Sequence, residues 1–287
     1  MNGARPPEIE TLANGLLIHR LSGALLAPAI RLGLHPNAVT LAGLGFGLAA
    51  AAAYTRWADW RLATLGFALM LGWLVMDGLD GQLARATGKT SDAGRLLDGV
   101  ADYSAFVAAY LALAFTHPRP GLAIALAATA GAAHALQAQL YEGERATYIR
   151  RLGGRFEAIA RPETGGLIER LYNRGEALLG NRTRPFDRVL EAATPARREA
   201  LLAGWRPRAA RALRLMSPLS SDGRAIALWL ALLAGDPLYY WLWEIAGLSL
   251  LALAAGHALR QAETGQLQSG HAGHAPAPAH VERRSGS

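Results

Sequence analysis

Apolar residues in this 287-residue chain are concentrated in long blocks, separated by polar segments rich in arginine. A helix needs about 20 mostly apolar residues to cross the hydrocarbon core of a bilayer, and several blocks reach that length only with their polar flanks. The pattern predicts an all-α, polytopic integral membrane protein with about six transmembrane helices. Their apolar blocks are residues 39–54, 62–76, 100–115, 121–140, 225–234 and 239–257.

The segment before the first block has the pattern of a surface helix. Between residues 11 and 34, apolar residues are mixed with His19, Arg20 and Arg31 at spacings that predict an amphipathic helix in the lipid headgroup region. An ordinary cytoplasmic lead-in helix is the alternative. Pro36 and Asn37 then start the first membrane helix, with Asn37 as its expected cap.

Changes in composition divide the chain into three regions. Residues 1–38 form the N-terminal cytoplasmic or interfacial segment, and residues 39–260 form the transmembrane domain. This domain includes a polar, arginine-rich insert at 142–221, in which 167–179 and 195–215 have apolar residues at helical spacing and predict amphipathic helices. Residues 261–287, rich in glycine, alanine, proline and histidine, are expected to be disordered.

Charge indicates the orientation in the membrane. The chain has 29 Lys and Arg against 22 Asp and Glu, and its arginines are densest in the insert. Positively charged short loops stay in the cytoplasm, so the insert, both termini and the aspartate-rich segment 77–102 are expected to face the cytoplasm. The protein is expected in the inner membrane of a bacterial cell. The net charge of +7 fits membrane lipids as partners. No nucleic-acid motif accompanies it, and nucleic acid is not expected as a partner.

Four aspartates carry the candidate chemistry. Asp77 and Asp80 end one apolar block, and Asp98 and Asp102 precede the next. Spacings of three and four place each pair on one helix face, so two facing helices would form a carboxylate cluster. Crowded carboxylates at a bilayer edge repel one another and need cations. Oxygen ligands select magnesium, manganese or calcium, and the chain has no cysteine that would favour a softer metal.

The spacing around these aspartates resembles the signature of the CDP-alcohol phosphotransferase family. Asp80 and Gly81 are followed after two residues by Ala84 and Arg85, after eight more by Gly94, and then by Asp98 and Asp102 at intervals of three intervening residues. Asp77 matches a further aspartate usually found in the family. Eight specified positions in one short span make a chance match far less probable than for a lone glycine motif.

The resemblance implies a membrane transferase that moves a substituted phosphate group from a CDP-alcohol to an acceptor hydroxyl and releases CMP. Phospholipid synthesis is its expected setting, with CDP-diacylglycerol as the expected donor and a homodimer as the expected assembly. Asp102 would be the general base, and two Mg²⁺ or Mn²⁺ ions would be expected. The metal ligands would be Asp77, Asp80, Asp98 and Asp102, and the nucleotide would contact Gly81, Ala84, Arg85, Gly94, Asn37 and Thr40.

The acceptor is less constrained by the sequence. Tyr103 follows the last aspartate, where many glycerophospholipid-forming members have a basic residue, and this departure argues against a phosphorylated acceptor. Polar residues at the end of the fourth block are candidates for the acceptor pocket, although ordinary interfacial anchors have the same pattern. These candidates are His134, Glu142, Glu144, Arg145 and Arg150.

Two other functions are compatible with membrane aspartates. Intramembrane prenyltransferases use aspartate pairs with magnesium, but they do not require this framework of glycine, alanine and arginine. A cation transporter could use the acids as an ion path, but such a path would normally place charge near the membrane midplane. Both remain alternatives to the transferase.

Overall fold

The computed structural model of the chain describes residues 6–11, 14–157 and 182–272, and within these ranges it is helical and contains no strand. The ten α-helices are α1 His19–Arg31, α2 Pro36–Tyr54, α3 Trp60–Thr87, α4 Asp92–Thr116, α5 Pro120–Leu152, α6 Pro185–Ala192, α7 Pro195–Leu215, α8 Ser221–Leu233, α9 Leu238–Leu242 and α10 Ser249–Ala272. Short 3₁₀ turns lie at Pro7–Ile9 and Ser217–Leu219. A π-helical turn, Asn14–Ile18, precedes α1, and another, Trp243–Leu248, joins α9 to α10.

Five described helical segments are long and apolar enough to cross a membrane. They are α2, α3, α4, α5 and the continuous segment Leu238–Gln268. The predicted all-α, polytopic membrane fold is confirmed. The block at 225–234 lies in α8, whose 13 residues span only about 20 Å, less than the roughly 30 Å of hydrocarbon in a bilayer. α8 is thus a short helix packed against α3 rather than a sixth full-length span.

Helices α2, α3 and α4 pack closely because small residues lie at their contacts. A Cβ atom added at Gly47 of α2 would lie 2.6 Å from the Cβ of Ala105 in α4, and one added at Gly66 of α3 would lie 2.4 Å from the ring of Tyr54. Gly78 of α3 similarly admits Ser22 of α1, whose Oγ would lie 3.2 Å from an added Cβ. Such contacts let helix backbones approach within a membrane, and they fix both α3 and α4 against α2.

The helix predicted within residues 11–34 is present as α1, which packs against α3. In α1, Ser22 is fully buried and accepts a hydrogen bond of 2.7 Å from Gln82 Nε2, whereas Leu21 and Leu25 are exposed on the other side. The placement of α1 in the headgroup region stays a prediction. The expected cap is wrong: His35 caps α2, its Nδ1 accepting from the backbone N–H of Asn37 at 3.2 Å.

A buried polar network joins α4, α5 and α8 to the π-helical turn Trp243–Leu248. The guanidinium of Arg224 donates to the carboxylate of Glu244 and, at 2.9 Å, to Gln137 Oε1. Gln137 Nε2 donates at 2.9 Å to the backbone carbonyl of Glu244, and the hydroxyl of Tyr110 donates to its carboxylate. These partners satisfy a charge and a backbone group that would be costly to bury unpaired.

The polar insert is fastened to the membrane helices by a buried ionic cluster. Arg184 donates at 2.7 Å to Glu144 and at 3.0 Å to Glu263, and Arg151 donates at 2.7 Å to Asp187 and at 2.8 Å to Glu263. Burial alone would raise the pKa of Asp187, but hydrogen bonding and the charge of Arg151 outweigh it and hold that pKa below the ordinary value. This carboxylate therefore stabilises the fold above its unfolded-state pKa, and the contribution is lost as the pH falls through the lower folded-state pKa.

Two predicted boundaries are wrong. Residues 142–152 continue α5 rather than beginning the insert, and residues 261–272 continue α10 rather than being disordered. The tail stays helical because Ala262 and Leu267 pack into the core around α7, while Glu263 pairs with Arg151 and Arg184, and also with Arg260 of its own helix. The amphipathic helix predicted at 195–215 is confirmed as α7, whereas the one predicted at 167–179 lies outside the described residues.

Glu263→Gln tests the role of the ionic cluster. The substitution leaves the guanidinium groups of Arg151 and Arg184 with one buried charged partner fewer, so we expect a loss of about 2 kcal/mol and a midpoint of thermal unfolding several degrees lower. Purified protein in detergent, heated at one fixed rate, gives the measurement. Glu199→Gln is the matched control, because Glu199 is exposed on α7. Equal midpoints for the two variants would contradict the structural role of residues 261–272.

Candidate functional site

The four aspartates of the motif meet where the C-terminal part of α3 faces the first turns of α4. Asp77, Asp98 and Asp102 each offer a carboxylate oxygen, and these oxygens lie within 4.8 Å of one another. Asp80 lies outside this trio but interacts electrostatically with Asp98. Its Oδ2 accepts a 2.5 Å hydrogen bond from Thr40 Oγ1 of α2. The predicted carboxylate cluster is thus present in the structure.

The turn between α3 and α4 sets this geometry. α3 ends at Gly88, which has the left-handed φ of +66° that glycine adopts without strain. α4 begins with Ser91 as its cap, the Ser91 Oγ accepting from the backbone N–H of Gly94 at 3.0 Å. The two helices are therefore joined by a short, well-capped turn, and their aspartates face each other about two turns from it.

The donor set of this cluster fits a hard divalent cation. Asp98 Oδ1 is buried and has no hydrogen-bond partner among the described residues. A buried carboxylate oxygen without a partner is destabilising, and an ion bound by several carboxylates removes that cost. Asp77, Asp98 and Asp102 would hold such an ion, with Asp80 adjacent. A bound Mg²⁺ or Mn²⁺ would supply charge neutralisation for a phosphate group.

A cavity of about 460 Å³ opens on the side of the cluster toward α2, and we call it the first cavity. Asp80 and Asp98 line it, and so do the residues predicted to contact a nucleotide: Asn37, Thr40, Gly81, Ala84, Arg85 and Gly94. A Cβ added at Gly81 would lie 3.2 Å from Arg85 Nη1, and one added at Gly94 would lie 3.1 Å from Ser91 Oγ. The glycines keep this cavity open and leave the backbone accessible.

A second cavity of about 390 Å³ lies on the other side of the cluster. All four motif aspartates line it, and Arg85 and Arg95 are shared with the first cavity. Asp77 and Asp102 line the second cavity and are absent from the described lining of the first. The remaining polar wall consists of Asn14, His19, Gln82, Glu142, Arg145, Ser220, Ser221 and Asp222.

The predicted acceptor-pocket residues divide into two groups. Glu142 and Arg145 line the second cavity. The other three lie outside the described linings of both cavities, and each side chain is buried against a partner: His134 Nδ1 lies 3.2 Å from Glu244, Glu144 pairs with Arg184, and Arg150 pairs with Asp187 at 3.4 Å. The sequence pattern placed all three in one helix, which is α5, but it could not show which way their side chains point.

Tyr103 also lies outside the described linings of both cavities. It lines a mostly apolar groove of about 430 Å³ along α4, which includes Val100, Val107 and Leu111. Its ring lies 6.2 Å from that of His134. The argument against a phosphorylated acceptor that was based on Tyr103 therefore has no support from the position of this side chain.

Sequence reasoning missed the part of the second cavity formed by distant segments. Asn14 and His19 come from the N-terminal region, and Ser220, Ser221 and Asp222 come from the start of α8. Thr11 Oγ1 donates to Asp222 Oδ2 at 2.7 Å and joins the two segments across 211 residues. Local pattern gives no signal for such a contact. The serine and aspartate at 220–222 indicate only a helix start, which Ser220 does cap.

The fold and the site together define a polytopic helical membrane protein with an acidic site between two polar cavities. A comparison with protein families found one similarity: the model of the CDP-alcohol phosphatidyltransferase family matches residues 33–153. The match confirms the recognition made from the motif. It implies a membrane transferase of phospholipid metabolism that uses CDP-alcohols, and the family is generally dependent on divalent metal. Neither the curated proteins nor the solved structures gave a match.

Asp98→Asn tests the metal site. Replacing one charged ligand of the cluster should weaken Mn²⁺ binding by roughly tenfold or more, because affinity for hard cations increases with the number of charged oxygen ligands. Electron paramagnetic resonance of free Mn²⁺, titrated with purified protein, measures the change without an activity assay. Glu199→Gln should bind Mn²⁺ as the wild type does. Undiminished binding by Asp98→Asn would remove Asp98 from the ligand set.

Proposed function

We propose that the protein transfers a substituted phosphate group from a CDP-alcohol to an acceptor hydroxyl. The acceptor oxygen forms a bond to the phosphorus that carries the donor alcohol, the phosphoanhydride bond to CMP breaks, and a phosphodiester results. The proton of the acceptor hydroxyl passes to a carboxylate of the protein. The observation that carries the proposal is the position of the four aspartates between two cavities, with a family match over the same residues.

The first cavity is assigned to the CDP part of the donor. Gly81, Ala84 and Gly94 leave room for a flat base and ribose to approach the backbone, and Asn37 and Thr40 add polar groups on the α2 side. The guanidinium of Arg85 suits a pair of phosphate oxygens. Because Arg85 lines both cavities, the diphosphate is placed at their junction, beside Asp80 and Asp98.

Asp102 is assigned as the general base. It lines the second cavity together with Asp77, and it lies one helical turn from Asp98 on the same face of α4. A base must reach the acceptor hydroxyl rather than the nucleotide, and this position meets that requirement. Asp77, Asp80 and Asp98 are assigned as the principal metal ligands for two divalent ions, to which Asp102 also contributes.

A lipid-linked donor, with CDP-diacylglycerol as the first candidate, is supported by the apolar groove along α4. The groove includes Leu96, Val100 and Leu111, and it begins at Arg95 and Gly99, which also line the second cavity. An acyl chain lying there would bring its headgroup to the carboxylates. The arginine-rich end of the bundle, where the site lies, is assigned to the cytoplasm by the positive-inside rule. The assembly as a homodimer stays a prediction.

The family match favours this reaction over the two alternatives, a prenyltransferase and a cation transporter. The direct test is CMP release by purified protein in detergent with CDP-diacylglycerol, an alcohol acceptor and Mg²⁺ or Mn²⁺. We expect release that requires both the metal and the acceptor, and that stops when the metal is chelated. Release that persists in excess chelator would contradict the proposed role of the carboxylates.

Asp102→Asn separates the base from substrate binding. We expect the CDP-donor to bind within about threefold of the wild-type affinity while kcat falls by at least roughly 100-fold, since general-base catalysis contributes about that much or more. Binding of CDP-diacylglycerol, followed by isothermal titration, and single-turnover CMP release measure the two quantities. Glu199→Gln provides the control for expression and folding. A variant with normal turnover would remove Asp102 as the base.

A further inference from the structure

Part of the wall of the second cavity comes from residues outside the segment that matches the family model. Asn14 and His19 precede residues 33–153, and Ser220, Ser221 and Asp222 follow them. The described lining of the first cavity, in contrast, lies between Pro36 and Asp98, inside that segment. Of the two cavities, the second is therefore the one whose described lining includes residues outside the matched segment.

The charges of that wall are unsuited to an anionic ligand. Arg145 lies 2.5 Å from Glu142, and the two charges compensate each other. Arg85 and Arg95 also line the first cavity, where the donor diphosphate is placed. Asp222 lines the second cavity but not the described part of the first, and it places a negative charge there. Beside it lie Ser220 and Ser221, whose hydroxyl groups are neutral. An anionic group bound at this part of the wall would lie next to the carboxylate of Asp222, at a cost in free energy.

Asp222 is held in a fixed position. It lies in the first turn of α8, where the helix dipole favours a negative charge, and it is only 7% exposed. Thr11 occupies Oδ2 with its 2.7 Å hydrogen bond. A carboxylate so anchored at a cavity wall is a strong acceptor for a hydroxyl or ammonium group.

We propose that the acceptor alcohol carries no phosphate group, being neutral or cationic, and that Asp222 determines this specificity by accepting a hydrogen bond from it. The inference depends on the proposed phosphotransfer function and names its acceptor class. Recognition by a buried carboxylate distinguishes a hydroxyl or ammonium donor from a phosphate by both hydrogen bonding and charge.

The first experiment compares acceptors with the wild-type protein, CDP-diacylglycerol and Mg²⁺ or Mn²⁺. Inositol, glycerol, ethanolamine and choline are tested against inositol phosphate and glycerol phosphate, with CMP release as the readout. We expect at least tenfold stimulation by one or more of the first four and none by the two phosphates. Stimulation by a phosphate alone would overturn the acceptor assignment and leave the proposed phosphotransfer function in place. Absence of release with all six would contradict the proposed function, and the assignment with it.

The second experiment separates recognition by Asp222 from its structural contact with Thr11. Asp222→Asn keeps an oxygen that accepts from Thr11 but removes the charge, whereas Thr11→Val removes the hydrogen bond and keeps the charge. With the acceptor found above, we expect Asp222→Asn to raise the acceptor KM roughly tenfold, with kcat and the donor KM unchanged within about twofold. Thr11→Val should lower the thermal midpoint and change the acceptor KM by less than about threefold. An unchanged acceptor KM in Asp222→Asn, or equal increases in both variants, would overturn the role of Asp222.

Discussion

Repulsion among carboxylates at the polar end of apolar helices is the constraint on which the site depends. Asp77, Asp98 and Asp102 place oxygens within 4.8 Å of one another, an arrangement that costs free energy unless a cation is present. The packing of α3 and α4 on α2 offsets this repulsion. Gly47 lies against Ala105, and Gly66 lies against Tyr54, so the helices cannot separate without losing dense contacts. The fold holds the acidic cluster together, in an arrangement that suits a divalent cation.

Other buried carboxylates of the same molecule are neutralised by the protein itself. Glu244 pairs with Arg224 inside the helix bundle, and Glu144 pairs with Arg184 at the insert. These pairs are closed, with hydrogen bonds that use their lone pairs, and they serve packing. Asp98 differs, because its Oδ1 is buried without a hydrogen-bond partner among the described residues. Within one chain, this contrast separates carboxylates that join helices from carboxylates that remain available to a ligand.

The motif could be located from the sequence because its information is local. Spacings of three and four along a helix decide which residues share a face, so Asp77, Asp80, Asp98 and Asp102 could be brought together without knowledge of the rest of the fold.

Side-chain direction in the C-terminal part of α5 could not be predicted in this way: Glu142 faces the second cavity, whereas Glu144 faces Arg184. The helical continuation through residue 272 was missed for a related reason. This part of α10 is stabilised by ion pairs of Glu263 with Arg151 and Arg184, which are remote in sequence, and the composition of residues 261–272 does not indicate such pairs.

The two cavities also differ in which segments of the chain form their walls. The described wall of the first cavity comes from α2, α3, α4 and the turn joining α3 to α4, all within the family segment, so the surface that would bind the nucleotide is built by the same packing that positions the aspartates. The second cavity is closed by the N-terminal region and the start of α8, joined by Thr11 and Asp222. Both segments also pack on α3, which contacts Ser22 through Gly78 and contacts α8, so α3 positions the aspartates and supports this part of the second cavity as well. Under the proposed function, the nucleotide would bind inside the matched segment and the acceptor would contact a wall completed from outside it, an arrangement that suits a scaffold that keeps one reaction and varies the alcohol it accepts.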